Sequence, residues 1–566
     1  MFNALFSIFP QIFSRKCTNF VTLRAILLQS MMKLKLSPLK ANKETFGLTT
    51  AFVKSLENKL LPPYFNKCRW FAGKARQQDA FAVKVWFEIP LVTSKNTDDG
   101  ISLVNQLAYL LIVEVSYHDG EPESYLLPLS FVQDGQEIPE KGIIASATLN
   151  SSEGFLVDGI YDQRFRDALF LNLSQSQTLT QNSGKLTFQR GKGLDFHDIG
   201  ISISNKVLPV DSSNSAMIFG GKYFMKLYRK LFEETNPEVD MVAFITEHSN
   251  FQHIPAFAGS IAWQRANTPD VTFGMMQHAI SNQQDAWSTT GDYLNDFLYG
   301  VPNRTFAIQE DVFEQVALLG KRTGEMHAAL YAPGVGYDFA PEHFTHEYRE
   351  FLVKRFSNLL ERRYNLLVDN YLNLDPPTQK LAWIFMEAKE MIDEFTQEIL
   401  HRPIDSLRIR IHGDYHLGQV LATNGDYIVI DFEGEPESSI SERKIKHSPL
   451  KDVAGMVRSY HYAVAAKLFN SAETENMDAE KLQIVSDRWF KLIRDTYLDA
   501  YFETFGYPHA LFKNNNEINF LLLVYLLEKA VYELGYEISY RPSWVKIPLK
   551  GIVDVVREIE KVLRED

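Results

Sequence analysis

The sequence predicts an α+β protein with a β-rich N-terminal lobe followed by a mostly helical C-terminal lobe. From about residue 45 to 205, apolar residues alternate or run together in short stretches that turn sequences such as NTDDG and HDGEPE interrupt, which is typical of strands. Residues 205–285 mix strands with a helix. Beyond residue 285, apolar residues recur every three or four positions, which predicts amphipathic helices.

The individual elements follow in chain order. One helix, TTAFVKSLENKLL, is expected before the strands AFAVKVWFEI, LAYLLIVEVSY, ESYLLPLSFV, GFLVDGIY, NKVLPV, SAMIFGG, KYFMKLYR, SIAWQR and TFGMMQHAI. NPEVDMVAFITEH should be a helix, because Asn236 can cap it and Pro237 suits its first position. The helical patterns of the C-terminal lobe are EDVFEQVALLGKRTGEMHAALY, HEYREFLVKRFSNLLERRYNLL, PTQKLAWIFMEAKEMIDEFTQEIL and SDRWFKLIRDTYLDAYFETF.

Composition excludes several classes of function. The chain has 566 residues, 45% of them hydrophobic, and a net charge of −13, which makes it a poor candidate for nucleic-acid binding. Its two cysteines, Cys17 and Cys68, cannot form a disulfide framework and lack metal-ligand spacing. No run reaches the roughly 20 apolar residues of a membrane span. A reducing cytoplasm is the simplest setting, and no membrane contact is expected.

The first residues differ from the rest of the chain. Residues 1–43 contain basic residues and no acidic one, with apolar patches between them. They lack a charged region ahead of the apolar one and a small-residue cleavage site. We therefore expect an over-long predicted start rather than a transit peptide or a membrane-contact segment.

A short hairpin with acidic ends carries the functional signal. In VLATNGDYIVID, Asn424 and Gly425 predict a two-residue turn, which brings Gln419 close to Asp431. Ideal alternation puts these two side chains on opposite faces, so the strand must end or bulge near Gln419 if both serve one site. Asp414 lies five residues before Gln419, on the loop that leads into the hairpin.

This set of residues suits phosphoryl transfer. Asp414 can act as the base for an acceptor hydroxyl, and the oxygens of Gln419 and Asp431 are ligands that Mg²⁺ accepts together with phosphates. Protein kinases use the same spacing of a catalytic Asp, a metal ligand five residues on and a second Asp after a strand. His412 is expected to fix the loop, and the acidic residues after Asp431 could be a solvated turn.

A kinase also needs a cation for the phosphates and a platform for adenine. Lys226 sits among apolar residues in a predicted strand, where a lysine needs an anionic partner; Glu238 and Asp240 on the next helix are both candidates. No Walker A pattern and no GxGxxG before Lys226 occur. The phosphate contacts are instead expected from Ser213, Asn214 and Ser215, and the adenine contacts from backbone groups near Gln277, His278 and Ile280.

Six separated motifs resemble the maltokinase family, ATP-dependent kinases of the aminoglycoside-phosphotransferase type. They are RWFAGKAR, NQQDAW, HGDYHLGQ, IDFEGEPE, ERKIKHSPLKDVAGMVRSYHYA and KAVYELGYEISYRPSW, and they span about residues 50–560. The sequence departs from the family at Tyr415, where Leu is usual, at Asp240, where the helix acid is commonly Glu, and at QQDAW, where QGDAW is usual.

The resemblance implies a bilobal, protein-kinase-like fold and a specific activity. It implies transfer of the γ-phosphoryl group of ATP, with Mg²⁺, to the anomeric hydroxyl of maltose, giving maltose 1-phosphate for α-glucan (glycogen) synthesis. By position it makes Asp414 the base, Gln419 and Asp431 metal ligands, Lys226 the phosphate-binding cation, and Asp452 a structural brace. It further implies an extension over residues 1–44, a cap subdomain over 45–135, an intermediate subdomain over 136–285 and a helical lobe over 286–566.

Candidate sugar contacts lie near the C-terminus. Lys529, Tyr532, Glu533 and Tyr536 fall on one face of a predicted helix, where aromatic rings can stack on a sugar and charged groups can bind its hydroxyls; Trp544 is a further candidate. Alternatively, the tyrosines are core residues and Lys529 pairs with Glu533. At the level of function, the alternatives are a kinase of the same fold for another sugar or small hydroxyl compound, and a non-catalytic module that partners trehalose synthase, which would be a separate chain.

Overall fold

The fold is described from a computed structural model. It describes residues 33–39, 42–97, 100–181, 183–209, 213–281, 284–300, 308–470, 478–506 and 509–565. The chain divides into two compact units, residues 1–234 with 258–279, and residues 235–257 with 280–566. The expected strands occur in the first unit and the expected long helices in the second.

Strands are numbered here in chain order. They are β1 (Lys33–Leu36), β2 (Pro38–Leu39), β3 (Asn42–Phe46), β4 (Gln78–Thr97), β5 (Gly100–Tyr117), β6 (Glu123–Gln133), β7 (Ile143–Leu149), β8 (Ser152–Asp158), β9 (Thr178–Gln181), β10 (Gly184–Arg190), β11 (Asn205–Val207), β12 (Ser215–Phe219), β13 (Tyr223–Leu227), β14 (Lys230–Leu231), β15 (Phe257–Gln264), β16 (Val271–His278), β17 (Gln284–Asp285), β18 (Glu342–His343), β19 (Leu407–Arg408), β20 (Val420–Thr423) and β21 (Asp426–Val429).

Helices are numbered in the same way. They are α1 (Thr50–Ser55), α2 (Leu61–Lys67), α3 (Gln163–Ser174), α4 (Pro237–His248), α5 (Ala286–Gly300), α6 (Glu310–Leu330), α7 (His346–Asn370), α8 (Pro376–Glu387), α9 (Lys389–His401), α10 (Ile440–Arg443), α11 (Leu450–Asn470), α12 (Ala479–Glu503), α13 (Asn515–Tyr540) and α14 (Lys546–Glu565). None of those in the described part of the chain combines the length and the apolar character that crossing a bilayer requires.

The first unit contains two seven-stranded sheets. One has the order β1-β7-β8-β6-β5-β4 with β14 paired to β6, and the other has the order β11-β12-β13-β16-β15-β10-β9. The apolar run in β5 is continuous because both of its faces are buried. Tyr109, Leu111 and Val113 pack in the core that includes α1 and α2, whereas Leu110 and Ile112 pack in the core that includes α3 and the second sheet.

A buried ion pair joins the two sheets. Arg229, directly after β13, is fully buried and donates to the Asp158 carboxylate at the end of β8 (2.7 Å), to Ser215 Oγ in β12 (2.7 Å) and to the Leu126 carbonyl in β6 (3.2 Å). Its guanidinium also lies 4.8 Å from the ring centre of Trp70, which belongs to the RWFAGKAR motif. The motif therefore helps to enclose the cation that links both sheets.

The second unit is built from helices around the predicted hairpin. Helices α6 and α12 pack closely, since Gly320 in α6 lies against the backbone carbonyl of Tyr497 in α12, where a Cβ would clash. Helix α13 packs against α7, α11 and α14. The cap that the sequence predicts for α4 is confirmed, because Asn236 Oδ1 accepts the N–H of Glu238 (2.8 Å) and Pro237 occupies the first turn.

Several predicted boundaries differ from the observed ones. The fold begins before residue 45, because β1 pairs in parallel with β7 and Leu36 is buried; residues 1–32 lie outside the described residues. Strands β6 and β8, on either side of the predicted boundary at residue 135, pair in one sheet, and the subdomain bounds stay predictions. Helix α3 interrupts the β-rich part, and the helical pattern over 377–400 is divided between α8 and α9 at Ala388.

Replacing Arg229 by Met should destabilise the first unit. The change leaves the carboxylate of Asp158 buried without its cation, which typically costs about 3–5 kcal/mol of unfolding free energy. Chemical denaturation followed by circular dichroism measures the loss. Adding Asp158→Asn to this variant should recover part of the stability, because the unpaired charge is then gone.

A surface pair provides the control for this experiment. Lys84 and Glu114 are 2.9 Å apart on the same sheet, with side chains 52% and 31% exposed, so Lys84→Ala should change the unfolding free energy by less than about 1 kcal/mol. Equal effects of Arg229→Met and Lys84→Ala would contradict the importance of the buried pair.

Candidate active site

The hairpin forms as the sequence predicts. Strands β20 and β21 pair in antiparallel register, and Asn424 (φ 43°) and Gly425 (φ 82°) form the turn between them with positive φ at both positions. Helix α6 supports the turn, because the guanidinium of Arg322 makes two hydrogen bonds to the carboxylate of Asp426 (2.8 and 2.7 Å).

Gln419 and Asp431 lie on the same side of the hairpin. Strand β20 starts only at Val420, so Gln419 lies outside it, in a 3₁₀ turn over Leu417–Gln419. Asp431 has a left-handed backbone (φ 68°). The N–H of Ile430 donates to the Gln419 carbonyl (3.0 Å), and Gln419 Nε2 lies 3.2 Å from Asp431 Oδ2. Regular alternation is therefore broken at both ends of the hairpin, which brings the two side chains together.

Asp452 fixes the loop that carries Asp414. Its carboxylate, 1% exposed at the start of α11, accepts the backbone N–H groups of His412 (2.7 Å) and Gly413 (2.9 Å) and contacts His327 Nε2 (3.1 Å). Burial by itself would raise the pKa of Asp452, but the hydrogen bond and charge of His327 and the charge of His412 lower it below its ordinary value. This geometry is that of the structural brace that the family resemblance implies.

His412 and Tyr415 hold the loop by their side chains. His412 Nε2 lies 2.9 Å from the carbonyl of Ile430, so this nitrogen carries a proton, and Nδ1 accepts the N–H of Asp414 (3.4 Å). The buried Tyr415 hydroxyl lies 2.9 Å from Thr323 Oγ1. The tyrosine that stands where the resembled family usually has leucine therefore has a hydrogen-bond partner here. The role of His412 as a loop-fixing residue agrees with the sequence-based interpretation.

Asp414 lies beside a cation. Its Oδ1 is 3.2 Å from Lys529 Nζ on α13, and its Oδ2 is 3.9 Å from His416 Nε2. Burial would lower the pKa of Lys529, but the carboxylates of Asp414, Glu435 and Glu533 raise it above its ordinary value, so Lys529 is charged. Lys529 thus pairs with Asp414, and not with Glu533 as the alternative interpretation of the sequence has it.

An oxygen-rich cluster lies next to the hairpin. The carboxylates of Glu238, Asp431 and Glu433 lie within 4.8 Å of one another, and Glu238 is fully buried. Asp240, the other candidate on α4, lies instead 3.1 Å from Lys444. Its predicted role at the nucleotide stays a prediction, and the arrangement favours Glu238 as the helix acid of the site.

This donor set fits a hard divalent cation. Mg²⁺ prefers a few oxygen ligands, and three carboxylates this close repel one another unless a positive charge lies among them. Asp431, Glu433 and Glu238 could hold such an ion. Gln419, bonded to Asp431 through its amide nitrogen, could join them when its amide turns its oxygen inward.

A cavity of about 270 Å³ opens beside Asp414. Gly413 and Tyr415, the two neighbours of Asp414, line it together with Lys529. Further lining residues come from α7, from the segment after the hairpin, and from α10, α11 and α13: Arg355, Arg362, Arg363, Glu435, Glu437, Glu442, Lys451, Asp452, Tyr525, Glu528 and Tyr532. The cavity is thus polar, and it adjoins Asp414 through the two neighbours of this residue and through Lys529, which contacts its carboxylate.

The charges in this cavity are arranged in pairs. Arg355 lies 3.4 Å from Glu435 and 3.5 Å from Glu528, and Lys451 lies 3.4 Å from Glu528. Burial would raise the pKa of Glu528, but the charges of Lys451 and Arg355 lower it below its ordinary value. At the mouth, Arg363 lies 3.7 Å from Glu437.

The structure separates the predicted sugar contacts into two groups. Lys529 and Tyr532 line the cavity. Glu533, Tyr536 and Trp544 are not among the described residues that line it: Glu533 accepts two hydrogen bonds from Arg458 (3.0 and 2.6 Å), Tyr536 is 43% exposed, and Trp544 packs with Tyr462 and Ile547. For Glu533 and Trp544 the contacts are structural ones.

The predicted nucleotide contacts lie elsewhere in the chain. Lys226 is a half-buried residue of β13, opposite Ala216 and Met275, and His278 ends β16 next to the Gly193 carbonyl. Ser213 and Asn214 precede β12, Ser215 begins it, and Ile280 follows β16. Their roles toward ATP stay predictions.

Sequence reasoning missed part of the site. Glu433 and Glu435 read as a solvated acidic turn, yet Glu433 joins the oxygen cluster and Glu435 lines the cavity. The signal was present in IDFEGEPE, where acidic residues alternate directly after the hairpin. Arg355 and Glu528 gave no comparable signal, because they meet only through the packing of α7 against α13.

The fold and site define a kinase-like α+β chain. Solved structures support the class: glucosamine kinase in complex with glucosamine, ADP and inorganic phosphate matches with a TM-score of 0.59 at 18% identity, over 86% of this chain and 96% of that one. A second crystal form of glucosamine kinase gives 0.58 at 19% identity, over 84% and 92%. The predicted fold class is therefore confirmed.

Two proteins that are similar in sequence are also named glucosamine kinase. Glucosamine kinase of Streptacidiphilus jiangxiensis is 29% identical over 152 residues, which are 26% of this chain and 32% of that protein. Glucosamine kinase of Mycolicibacterium smegmatis is 24% identical over 351 residues, which are 60% of this chain and 77% of that protein. The chain thus spans about a third of the first relative and about three quarters of the second. No family model matches the chain.

Changing Asp431 to Asn should weaken divalent-cation binding. The change removes one carboxylate from the oxygen cluster, and even outer contacts of metal sites typically contribute about tenfold or more in affinity. Titration with Mn²⁺, followed by the electron paramagnetic resonance signal of the free ion, measures the affinity.

Glu437→Gln is the matched control, because this glutamate is 57% exposed and outside the cluster. It should bind Mn²⁺ as the unaltered chain does. If Asp431→Asn binds Mn²⁺ as tightly as the unaltered chain, the oxygen cluster is not a metal site.

Proposed function

We propose that this chain is an ATP-dependent sugar kinase that phosphorylates maltose at its anomeric hydroxyl, giving maltose 1-phosphate. The observation that carries the proposal is the contact of Asp414 with Lys529, which lines the polar cavity, on the loop that leads into the hairpin next to the oxygen cluster. The family motifs and the sugar kinases among the relatives support it as well.

Asp414 acts as the base in this proposal. Its carboxylate takes the proton of the acceptor hydroxyl, the hydroxyl oxygen forms a bond to the γ-phosphorus of ATP, and the bond from that phosphorus to the bridging oxygen breaks to release ADP. Lys529 orients the carboxylate from 3.2 Å away, and Asp452 holds its loop in place through two backbone N–H groups. A base of this kind typically contributes 10²–10⁴-fold to the rate.

Asp431, Glu433 and Gln419 hold Mg²⁺ in this proposal. When bound there, Mg²⁺ offsets the negative charge of the ATP phosphates. Lys226 contributes a second cation for the phosphates, and Ser213 and Asn214 contribute backbone N–H groups and the Ser213 hydroxyl, as the sequence predicts. The hydroxyl of Ser215 is instead bonded to Arg229, so Ser215 is left with a backbone role.

Maltose is preferred over glucosamine as the acceptor because of the charges that line the cavity. Glucosamine, which the relatives' names suggest, carries an ammonium group near neutral pH and needs a carboxylate to meet it. The buried carboxylates here have cationic partners already: Glu435 has Arg355, and Glu528 has Arg355 and Lys451. An uncharged sugar fits a lining of this kind without leaving a charge unpaired.

The wider role follows from the product. Maltose 1-phosphate is a donor for α-glucan (glycogen) synthesis in the family that the motifs resemble. Trehalose synthase, as a separate chain, is the proposed partner that supplies maltose, and the cytoplasm is the proposed location because ATP is available there.

Changing Asp414 to Asn should reduce turnover about 10²- to 10⁴-fold, because the base is lost while its size is kept. A coupled assay of ADP release measures turnover. Binding of ATP and the unfolding midpoint should stay unchanged, since Asp452 still holds the loop.

Asp405→Asn serves as the control for this variant, because Asp405 is an exposed residue of the same unit. Its turnover should equal that of the unaltered chain. Full activity of Asp414→Asn would show that another group takes the proton.

A sugar panel should give ADP release with maltose well above that with glucosamine. The physical reason is the set of paired carboxylates in the cavity, which leaves the ammonium of glucosamine without a partner. NMR of the product should place the phosphate on the anomeric oxygen. Turnover with glucosamine alone would refute maltose as the acceptor while retaining a sugar kinase.

A further inference from the structure

Three tyrosines follow one another along the face of α13 that leads away from Asp414. Tyr532, Tyr536 and Tyr540 are spaced four residues apart, so they lie one above the other on a helix. The rings of Tyr536 and Tyr540 are 4.9 Å apart at an angle of 43°. With a rise of 1.5 Å per residue, the row extends for about 12 Å beyond Tyr532.

The row is continuous with the acceptor cavity. Tyr532 lines the cavity and is half-buried, Tyr536 is 43% exposed and Tyr540 is 71% exposed. Exposure therefore increases step by step with distance from Lys529, which contacts Asp414 in the preceding turn. Arg363, 6.0 Å from the ring centre of Tyr532, lies 3.7 Å from the exposed Glu437, and all three residues line the cavity at the inner end of the row.

The outer part of the row is held in position. The guanidinium of Arg541 lies 5.2 Å from the ring centre of Tyr536 and 4.8 Å from that of Trp544, and it is anchored by a hydrogen bond to Glu537 Oε1 (2.6 Å). Exposed tyrosines beside a fixed guanidinium offer ring faces for stacking and donors for hydroxyl groups. This combination suits a carbohydrate, whose rings have apolar faces and polar edges.

We infer that Tyr536 and Tyr540, with Arg541, form an outer sugar subsite, so that the chain binds malto-oligosaccharides longer than maltose. The inference rests on the proposed function for the orientation of the sugar: the anomeric end meets Asp414, and the further glucose units lie along the tyrosine row. Tyr540 binds the unit that maltose lacks, and it therefore selects for acceptor length.

Calorimetric titrations with maltose and maltotetraose test this subsite. They are made without ATP, so that an absence of turnover, which would defeat the proposed function, leaves this measurement intact. The unaltered chain should bind maltotetraose about 2- to 10-fold more tightly than maltose, the range expected for one further stacking contact. Tyr540→Ala should remove that preference and leave the affinity for maltose unchanged.

Tyr299→Ala is the matched control, since Tyr299 is 75% exposed on α5 of the same unit. It should keep the full preference for maltotetraose. Equal affinities of the unaltered chain for both sugars would overturn the inference. So would a preference for maltotetraose that survives Tyr540→Ala, or an equal loss of affinity for both sugars in that variant.

Discussion

The site depends on the buried carboxylate of Asp452. The loop over residues 412–416 has no strand partner for its first N–H groups, and buried backbone donors must find acceptors. Asp452 supplies them from the first turn of α11, and His327 reaches it from α6. The preceding residue, Lys451, pairs with Glu528 in the cavity. One helical turn therefore fixes both the base and the wall of the acceptor pocket.

Local patterns were sufficient to predict the central part of this arrangement. Asn and Gly in sequence specify a turn with two positive φ angles, so the pairing of β20 with β21 followed directly from residues 424 and 425. The pairing then places Gln419 beside Asp431. The helix periodicity likewise put Lys529 and Tyr532 on one face, and both line the cavity. The fold class followed from the same periodicities.

Local sequence patterns could not predict contacts between distant parts of the chain. Glu533 was predicted as a sugar contact or, alternatively, as a partner of Lys529, but Arg458, 75 residues away, binds it because α11 packs on α13. The left-handed backbone of Asp431 leaves no mark in the sequence, since any Asp can adopt it at some cost. The parallel pairing of β1 with β7 joins residues more than a hundred positions apart, so the N-terminal boundary could not be read from residues 33–36 alone.

Arg229 has a consequence for how this protein could be shortened. It lies three residues after Lys226, just beyond β13, and its partners Asp158 and Leu126 belong to the other sheet of the first unit. In a fragment that began after residue 160, the guanidinium of Arg229 would stay in an apolar environment without the carboxylate of Asp158. A shortened chain must therefore keep the N-terminal sheet, or must replace Arg229 with an uncharged residue.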